Sequence, residues 1–407
     1  MMLKKLSLLL VCFLFVFQGA FAQLQTGFWR FVLKNDGGGI PFNMEIVEKN
    51  KEYKAYLLNA EERLELETII FSEKKDSIYI PLHIFDASLA FKLDGKKMKG
   101  LYRKHYNKID QEVEGTWGEK YRFLKETSKL NTNFTGKWQT TFTNAEGRSY
   151  PAVGAFKQDV ATGKVTGSFL TTTGDYRYLE GNVYMNQIYL STFDGGFAYR
   201  FYGAIENDTL SGEFWSGKNK AGTWKAIYNE KATLPDASKL TYLKEGYKEV
   251  DFKFPNLEGK TVSLKDEKYK GKVVILQIFG SWCPNCMDET KFLSDWYKKN
   301  KNKPVAIIGL AYERKPEFEY AKQMVSKVAK RFNVEYDFVI AGTNDKEVAS
   351  KSLPMLNGIS SYPTTIFIDK KGQVRKIHTG FAGPGTGEYY QKWREEFNTL
   401  MNTLLKE

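Results

Sequence analysis

Residues 272–286 read KVVILQIFGSWCPNC, an apolar run followed at once by two cysteines with two residues between them. A nearly continuous apolar run is typical of a strand that is buried on both faces of a sheet. Phe292, Leu293 and Trp296 then fall on one face of a helix that we predict over about 285–299. This segment therefore predicts a buried strand, a loop that carries the cysteines, and a helix.

The rest of the C-terminal part continues this alternation of strands and helices. Alternating strands and helices predict a mostly parallel sheet with helices on both faces. We predict an α/β domain over 248–407, preceded by a linker at 232–247. Its further predicted elements are strands at 304–310 and 336–340, helices at 316–332 and 345–353, a hairpin of 364–368 and 374–377, and a last helix at 387–405.

The two cysteines lie where the predicted helix begins. Unpaired N–H groups and the helix dipole favour an anion there, and such a setting lowers a thiol pKa from about 8.5 to about 7. Cys283 is therefore predicted to attack a disulfide, and Cys286, one turn later, to resolve the mixed disulfide. The alternatives are an inert bridge, which would stabilise so short a loop very little, and half of a zinc site. Zinc would need two more soft ligands, which the remaining Cys12 and three scattered histidines do not supply, so we expect no cofactor.

Residues 24–231 have a different pattern from the C-terminal part. They lack long helical periodicity and consist of short runs of aromatic and β-branched residues, broken by Gly, Asn and Asp. Such runs, with turn signals about every ten residues, predict an all-β sandwich or barrel.

This N-terminal half also repeats itself. The motif TGFW at 26–29 recurs as TGKW at 135–138, and GTW at 115–117 recurs at 222–224. A closed barrel needs its first and last strands to pair, so bulky rings on both are expected. The second copy faintly resembles avidin-like or lipocalin-like barrels, which bears on the fold alone. We therefore predict two tandem barrel-like β domains, at 23–130 and 131–231.

The first residues predict export from the cytoplasm. Lys4 and Lys5 precede an apolar run at 6–17, and small residues end at Ala22, which is the pattern of a signal peptide at 1–22 with cleavage after Ala22. A helix of 12 apolar residues spans about 18 Å against about 30 Å of hydrocarbon, so a membrane anchor is the weaker alternative. We expect a periplasmic protein with no stable membrane span after cleavage.

Charge argues against a nucleic-acid partner. The formal net charge is +12, from 60 Lys and Arg against 48 Asp and Glu, and the lysines are scattered as singles and pairs. A nucleic-acid surface would need these charges clustered along one element.

The C-terminal part resembles a known family. Asp251-Phe252, the stretch LEGKTVSL at 257–264, GKVV at 271–274 and the Trp-Cys-Pro-Asn-Cys motif are similar to the TlpA/ResA-like branch of the thioredoxin superfamily, over roughly 247–407. The resemblance implies a thioredoxin-like fold. The overall fold class that we predict is thus multidomain, with two tandem all-β barrel-like domains followed by an α/β thioredoxin-like domain.

The resemblance also implies roles for further residues. The stretch 361–365 resembles the family's cis-proline loop, so Pro363 is expected to be cis and, with Tyr362 and Trp282, to frame the substrate. Glu289 stands three residues after the second cysteine, where ResA-like proteins carry a glutamate that would shuttle protons. The alternative is a solvated glutamate beside Lys291, and we expect Asp288 and Lys291 to lie at the surface.

The predicted function is that of a thiol–disulfide oxidoreductase acting on periplasmic protein disulfides or dithiols. Reductants dominate this branch, so the resemblance favours a disulfide reductase, which would need a membrane electron donor. The alternative is an exported binding or sensor protein, in which the tandem β domains recognise a partner or ligand and the thioredoxin-like domain is accessory.

Overall fold

A computed structural model of the chain describes residues 24–125 and 132–407. The described residues form two successive β units and a C-terminal α/β unit. The predicted signal peptide at 1–22, with its cleavage after Ala22, lies outside the described residues.

The first β unit is an antiparallel sheet that curls almost into a barrel. Within residues 24–125 its strands are β1 (Gly27–Leu33), β2 (Ile40–Lys49), β3 (Glu52–Asn59), β4 (Glu62–Thr68), β5 (Ile70–Phe71), β6 (Ser77–Leu82), β7 (Ala87–Asp94), β8 (Lys97–Lys104) and β9 (Ile109–Trp117). Their order is β4-β3-β2-β1-β9-β8-β7-β6-β5, so β4 and β5 are the edges. The first strand pairs with the last, with Trp29 opposite Trp117, as the repeat predicts.

The second β unit closes completely. Within residues 132–231 its strands are β10 (Gly136–Asn144), β11 (Ser149–Gln158), β12 (Lys164–Thr171), β13 (Gly174–Asp175), β14 (Leu179–Tyr184), β15 (Gln187–Phe193), β16 (Ala198–Glu206), β17 (Thr209–Ser216) and β18 (Asn219–Tyr228). The first strand, β10, pairs with the last, β18, while β11 pairs with β12, which completes the circle. The short strand β13 pairs with the end of β12.

The two β units share details that follow from the sequence repeat. The indole N–H of Trp29 donates to the carbonyl of Gln25, and that of Trp138 donates to the carbonyl of Phe134, both at 2.9 Å. The units differ in the register of the last strand, because Trp117 lies opposite Trp29 whereas Trp224 lies opposite Phe142. Consequently Trp224 is buried in the second barrel while Trp117 is only half-buried.

Aromatic rings fill the interior of the second barrel. Phe142 lies at its centre, fully buried, and centroids of its ring neighbours lie 5.0 to 6.4 Å away. These neighbours include Tyr150, Phe169, Phe201, Phe214 and Trp224. These rings form the core of the second barrel.

The two β units are joined through the end of β15. Phe193 of the second unit is fully buried in the core of the first, where its ring lies 4.4 Å from that of Phe42 and 5.1 Å from that of Tyr102. The hydroxyl of Tyr102 donates to the carbonyl of Gly195 at 2.8 Å. The two β units therefore pack against each other as one body.

The C-terminal unit has a five-stranded sheet of order β23-β22-β21-β24-β25. Strands β21, β22 and β23 are parallel, whereas β24 and β25 form an antiparallel hairpin, so the sheet is more mixed than the alternation predicts. The elements are β19 (Lys253–Pro255), β20 (Thr261–Ser263), β21 (Val273–Phe279), α1 (Pro284–Asn300), β22 (Val305–Glu313), α2 (Phe318–Phe332), β23 (Asp337–Thr343), α3 (Lys346–Ser352), β24 (Thr364–Ile368), β25 (Val374–Thr379) and α4 (Glu388–Lys406).

Every residue of β21 is buried, as its apolar run predicts. Phe292 of helix α1 packs against the rings of Trp393 and Phe397 on α4, which covers one side of the helix. The predicted fold class, two barrel-like β units followed by a thioredoxin-like α/β unit, is confirmed. Among the helices in the described ranges, none combines the length and apolar character needed to cross a bilayer.

The aromatic interior of the second barrel predicts a large stability effect. Phe142→Ala should lower the free energy of unfolding of this barrel by about 3–5 kcal/mol, because a buried ring is replaced by a cavity. Urea unfolding followed by near-ultraviolet circular dichroism measures the change. Val160→Ala, at a side chain that is 64% exposed, is the control and should change the value by less than about 0.5 kcal/mol. Equal unfolding midpoints for the two variants would contradict a packed barrel interior.

Candidate active site

The cysteines lie between the end of β21 and the start of α1. Cys283 is the N-cap residue of α1, with extended backbone angles, and Pro284 occupies the first turn, where a missing N–H costs nothing. The backbone N–H of Cys286 points at the sulfur of Cys283, with 3.2 Å between the nitrogen and Sγ. The two sulfurs are joined as a disulfide in this structure. The structure therefore places Cys283 at the helix start that the sequence predicts.

Both cysteines are nearly closed to solvent. Cys283 is 4% exposed and Cys286 is fully buried. The order of exposure agrees with the prediction that Cys286 is the less accessible sulfur. The small exposed fraction of Cys283 is a new finding.

The loop before β24 faces the disulfide. The Tyr362–Pro363 peptide bond is cis, and the carbonyl oxygen of Tyr362 lies 3.6 Å from Sγ of Cys283. The ring of Trp282 meets that of Tyr362 edge-on at 5.3 Å, and its N–H donates to the carbonyl of Tyr312 at 2.9 Å. Trp282, Tyr362 and Pro363, singled out from the sequence, are thus brought together beside Cys283.

Glu289 is buried behind the cysteines rather than solvated. Gln277 on β21 and Thr365 on β24 lie opposite each other across the antiparallel strand pair. Gln277 donates to one carboxylate oxygen of Glu289 at 2.9 Å and Thr365 donates to the other at 2.6 Å. Burial nevertheless raises the pKa of the Glu289 carboxyl to about 7, although both hydrogen bonds oppose the shift. The alternative of a solvated glutamate beside Lys291 is therefore wrong.

A second buried carboxylate, that of Glu313, is hydrogen-bonded to Ser281 in the loop before the cysteines. Its two oxygens accept from the backbone N–H of Ser281 at 2.8 Å and from the Ser281 hydroxyl at 2.6 Å. Burial raises the pKa of Glu313 to about 7. Sequence reasoning missed this residue because the predicted strand ended at 310, whereas β22 continues to Glu313. An acidic residue at the end of a buried strand next to β21 is the signal that could have identified it.

Residues of the second barrel also contact the cysteine loop. The side-chain amide of Asn285 donates to the carbonyl of Asp175 at 3.0 Å, and Arg177 donates to the carbonyl of Pro284 at 3.1 Å. Arg177 also forms an ion pair with Asp288 on α1. Asp288, which we expected at the surface, is half-buried against the second barrel with 17% of its side chain exposed, whereas Lys291 is exposed as expected.

Metal ligation finds no support among the described residues. Within 24–125 and 132–407, no group of three or more His, Cys, Asp or Glu side chains is placed to hold a metal ion.

Part of this chain is similar to the Redoxin family and to several thiol-disulfide oxidoreductases. The Redoxin family model matches residues 232–391. The thiol-disulfide oxidoreductase ResA of Geobacillus thermodenitrificans is 33% identical over 132 residues, which are 32% of this chain and 66% of that protein. ResA of Bacillus cereus is 33% identical over 137 residues, which are 34% of this chain and 70% of that protein. The thioredoxin-like protein YneN of Bacillus subtilis is 29% identical over 138 residues, which are 34% of this chain and 73% of that protein.

Solved structures of thiol-disulfide oxidoreductases are also similar to part of this chain. A thiol-disulfide oxidoreductase from Bacteroides fragilis shares 22% identity with a TM-score of 0.27, covering 36% of this chain and 99% of that one. The thioredoxin domain of a thiol-disulfide oxidoreductase from Bacteroides vulgatus shares 22% identity with a TM-score of 0.29, covering 37% of this chain and 99% of that one.

The Redoxin match and the buried strand, cysteine pair and helix define a thioredoxin-like redox domain at the C-terminus. Through this domain the chain belongs to the ResA family of thiol-disulfide oxidoreductases. The match spans about two thirds of the length of these relatives and about one third of this chain. The β units therefore lie outside the region shared with the family.

The environment of Glu289 predicts a pH-dependent stability. A carboxyl with its pKa raised from 4.5 to about 7 holds more protons in the native than in the unfolded chain between these pH values. Stability of the disulfide form should therefore fall as the pH rises through that window, and the share of Glu289 is roughly 3 kcal/mol. Glu289→Gln should remove this share, which urea unfolding at pH about 5 and about 7.5 measures.

The exposed Glu395→Gln is the matched control, since its carboxyl is solvated in both states. A pH dependence that is the same in Glu289→Gln, in Glu395→Gln and in the unmodified protein would contradict a raised pKa at Glu289.

Proposed function

We propose that this protein is a periplasmic disulfide reductase in which Cys283 attacks a protein disulfide and Cys286 resolves the mixed disulfide. The observation that carries the proposal is the position of the Cys283 sulfur at the start of α1, between the N–H of Cys286 and the carbonyl of Tyr362. The family match supports the reaction class. The pattern at 1–22 supports the periplasmic location.

The start of α1 favours a thiolate at Cys283 once the disulfide is reduced. The N–H of Cys286 donates to this sulfur, and the positive end of the helix dipole adds to the stabilisation of a negative charge. Cysteines in this setting have pKa values of about 3.5–7.5, so at neutral pH a large fraction is ionised. Cys286, inside the first turn, lacks this position.

The proposed reaction conserves atoms and electrons. The Cys283 thiolate forms a bond to one sulfur of the substrate disulfide, and the other sulfur leaves as a thiolate that takes up a proton. Cys286 then loses its proton and attacks the Cys283 sulfur, which releases the second substrate thiolate. The substrate gains two electrons and the Cys283–Cys286 pair becomes a disulfide. A membrane-bound dithiol donor would return two electrons to this pair for the next cycle.

Glu289 is the group that we assign to accept the proton of Cys286. It follows Cys286 by one helical turn, on the same face of α1. Its carboxyl, with a pKa raised to about 7, can take a proton near neutral pH and give it back. Gln277 cannot accept that proton itself, and it holds the carboxylate through a hydrogen bond.

Trp282, Tyr362 and Pro363 are proposed to frame the substrate at Cys283. The carbonyl of Tyr362 lies beside the sulfur, where an extended substrate peptide would pass. The ring of Trp282 packs edge-on against that of Tyr362 beside the same sulfur.

The alternative function is an exported binding or sensor protein in which the tandem β domains recognise a partner or ligand, and a ligand inside the second barrel has little support. The side chains of Phe142 and its ring neighbours occupy the interior of the second barrel. Recognition of a partner on the outer surface of the β units is compatible with disulfide reduction.

A mixed-disulfide trap tests the reaction. Cys286→Ser, after reduction, should form a stable adduct with a substrate disulfide through Cys283, because the resolving thiol is absent. Non-reducing electrophoresis and mass spectrometry with insulin as the probe detect the adduct. Cys283→Ser is the control and should form none, since Cys286 is fully buried. No adduct, together with no insulin reduction by the unmodified protein, would overturn the proposed function.

The reduction potential tests the direction. A reductase should have a Cys283–Cys286 potential nearer the about −270 mV of thioredoxin than the about −120 mV of the oxidant DsbA. Equilibration with glutathione or dithiothreitol buffers and thiol alkylation measures it. A value near the oxidant end of this scale would contradict reduction while leaving the disulfide chemistry intact.

A further inference from the structure

One hairpin of the second barrel has its tip beside the loop that carries Cys283. This tip, residues 171–177, contains the turn between β12 and β13 and the residues that lead to β14. We call it the barrel tip. Because β13 pairs only with the end of β12, the tip extends beyond the closed part of the barrel.

The barrel tip is bound by the segments that surround the disulfide. The hydroxyl of Ser361, in the loop before cis-Pro363, donates to the carbonyl of Thr173 at 2.8 Å. Asn285, between the two cysteines, donates to the carbonyl of Asp175 at 3.0 Å. The backbone N–H of Gly383 donates to the carboxylate of Asp175 at 2.6 Å. Two of these three contacts are made by backbone carbonyls of the tip, which any extended peptide could offer instead.

The backbone of the second barrel packs closely against the cysteine loop. A Cβ added to Gly174, whose φ is +145°, would lie 2.6 Å from the side-chain nitrogen of Asn285. A Cβ added to Gly196, in the turn after β15, would lie 2.8 Å from the ring of Pro284. Glycine at both positions lets the barrel backbone approach the cysteine loop closely.

A buried arginine at the end of the tip holds the three parts of the chain together. Arg177 is 5% exposed and forms ion pairs with one carboxylate from each part: Glu62 of the first β unit, Asp194 of the second, and Asp288 of α1. Removing one partner from a buried ion-pair network leaves uncompensated charge and is strongly unfavourable. Arg177 is therefore the main electrostatic link between the β units and the redox domain.

We propose that the barrel tip occupies the substrate groove of the redox domain, so that a protein disulfide reaches Cys283 only after the tip has been displaced. This inference rests on the proposed function. Thiol–disulfide exchange needs access to the attacking sulfur, and Cys283 is 4% exposed in this arrangement. A protein substrate must therefore compete with the tip for Ser361, Asn285 and the backbone beside Cys283. The ion pairs of Arg177 determine the free energy that is needed to displace the tip. The β units thereby select those substrates that can replace the barrel tip in the groove.

Two variants that loosen the tip by different means test this proposal. Arg177→Met removes the positive charge from the three carboxylates, and Gly196→Leu places a side chain against the rings of Pro284 and Phe85. The fully reduced proteins are freed of reductant, and the rate constants for reduction of insulin and of bis(2-hydroxyethyl) disulfide are measured. The ratio of the insulin rate to the small-disulfide rate should rise by on the order of tenfold in both variants, since a bulky substrate gains most from an open groove. Arg148→Met, at an exposed arginine of the same barrel, is the matched control and should keep the unmodified ratio.

Circular dichroism checks that each variant is folded, and small-angle scattering should show a larger radius of gyration for the two loosened proteins. A ratio that stays at the unmodified value in both folded variants would overturn the role of the tip while leaving the redox activity in place. If neither the unmodified protein nor any variant reduces either disulfide, the proposed function itself fails, and this outcome is distinct from the first.

Discussion

The guanidinium of Arg177 is the interaction on which the arrangement of the three parts depends. A buried cation must be compensated, and Glu62, Asp194 and Asp288 do so from three separately folded parts of the chain. Because the network is buried, loss of one member would leave a buried charge without its partner, which is strongly unfavourable. The environment of the cysteine pair is consequently a property of the whole chain and not of the redox domain alone.

Within the redox domain, two buried carboxyl groups flank the cysteine loop. Glu289 on α1 accepts hydrogen bonds from residues of two neighbouring central strands, and Glu313 accepts a hydrogen bond from Ser281 in the loop. Burial raises the pKa of each to about 7, so both can change protonation near neutral pH without leaving the core. The site thus combines the backbone geometry of the cysteine loop with two carboxyl groups that solvent does not reach.

The two β units illustrate how a repeated sequence can lead to unequal structures. Equivalent tryptophans make the same hydrogen bond in both units, because the local chain around them is the same. The last strands nevertheless differ in register, and only the second unit closes through β11 and β12. Closure depends on pairing between distant strands. The open side of the first unit and its contact with Phe193 show that each unit is adjusted to its neighbour.

The sequence by itself determined the class of each part and the position of the chemistry. The apolar run of β21, the two-residue spacing of Cys283 and Cys286, and the periodicity of the helices are local patterns, and local patterns define strands and helix starts. Glu289 was identified by family resemblance, and its burial follows from strands that pair across the sheet. Only the tertiary structure decided that Asp288 is half-buried beside the second barrel, that Glu313 anchors the loop, and that Asp175 and Arg177 lie against the cysteine loop. The contacts of Asp175 and Arg177 with this loop join residues more than 100 positions apart, and their formation depends on how whole surfaces fit together, which no short stretch of sequence encodes.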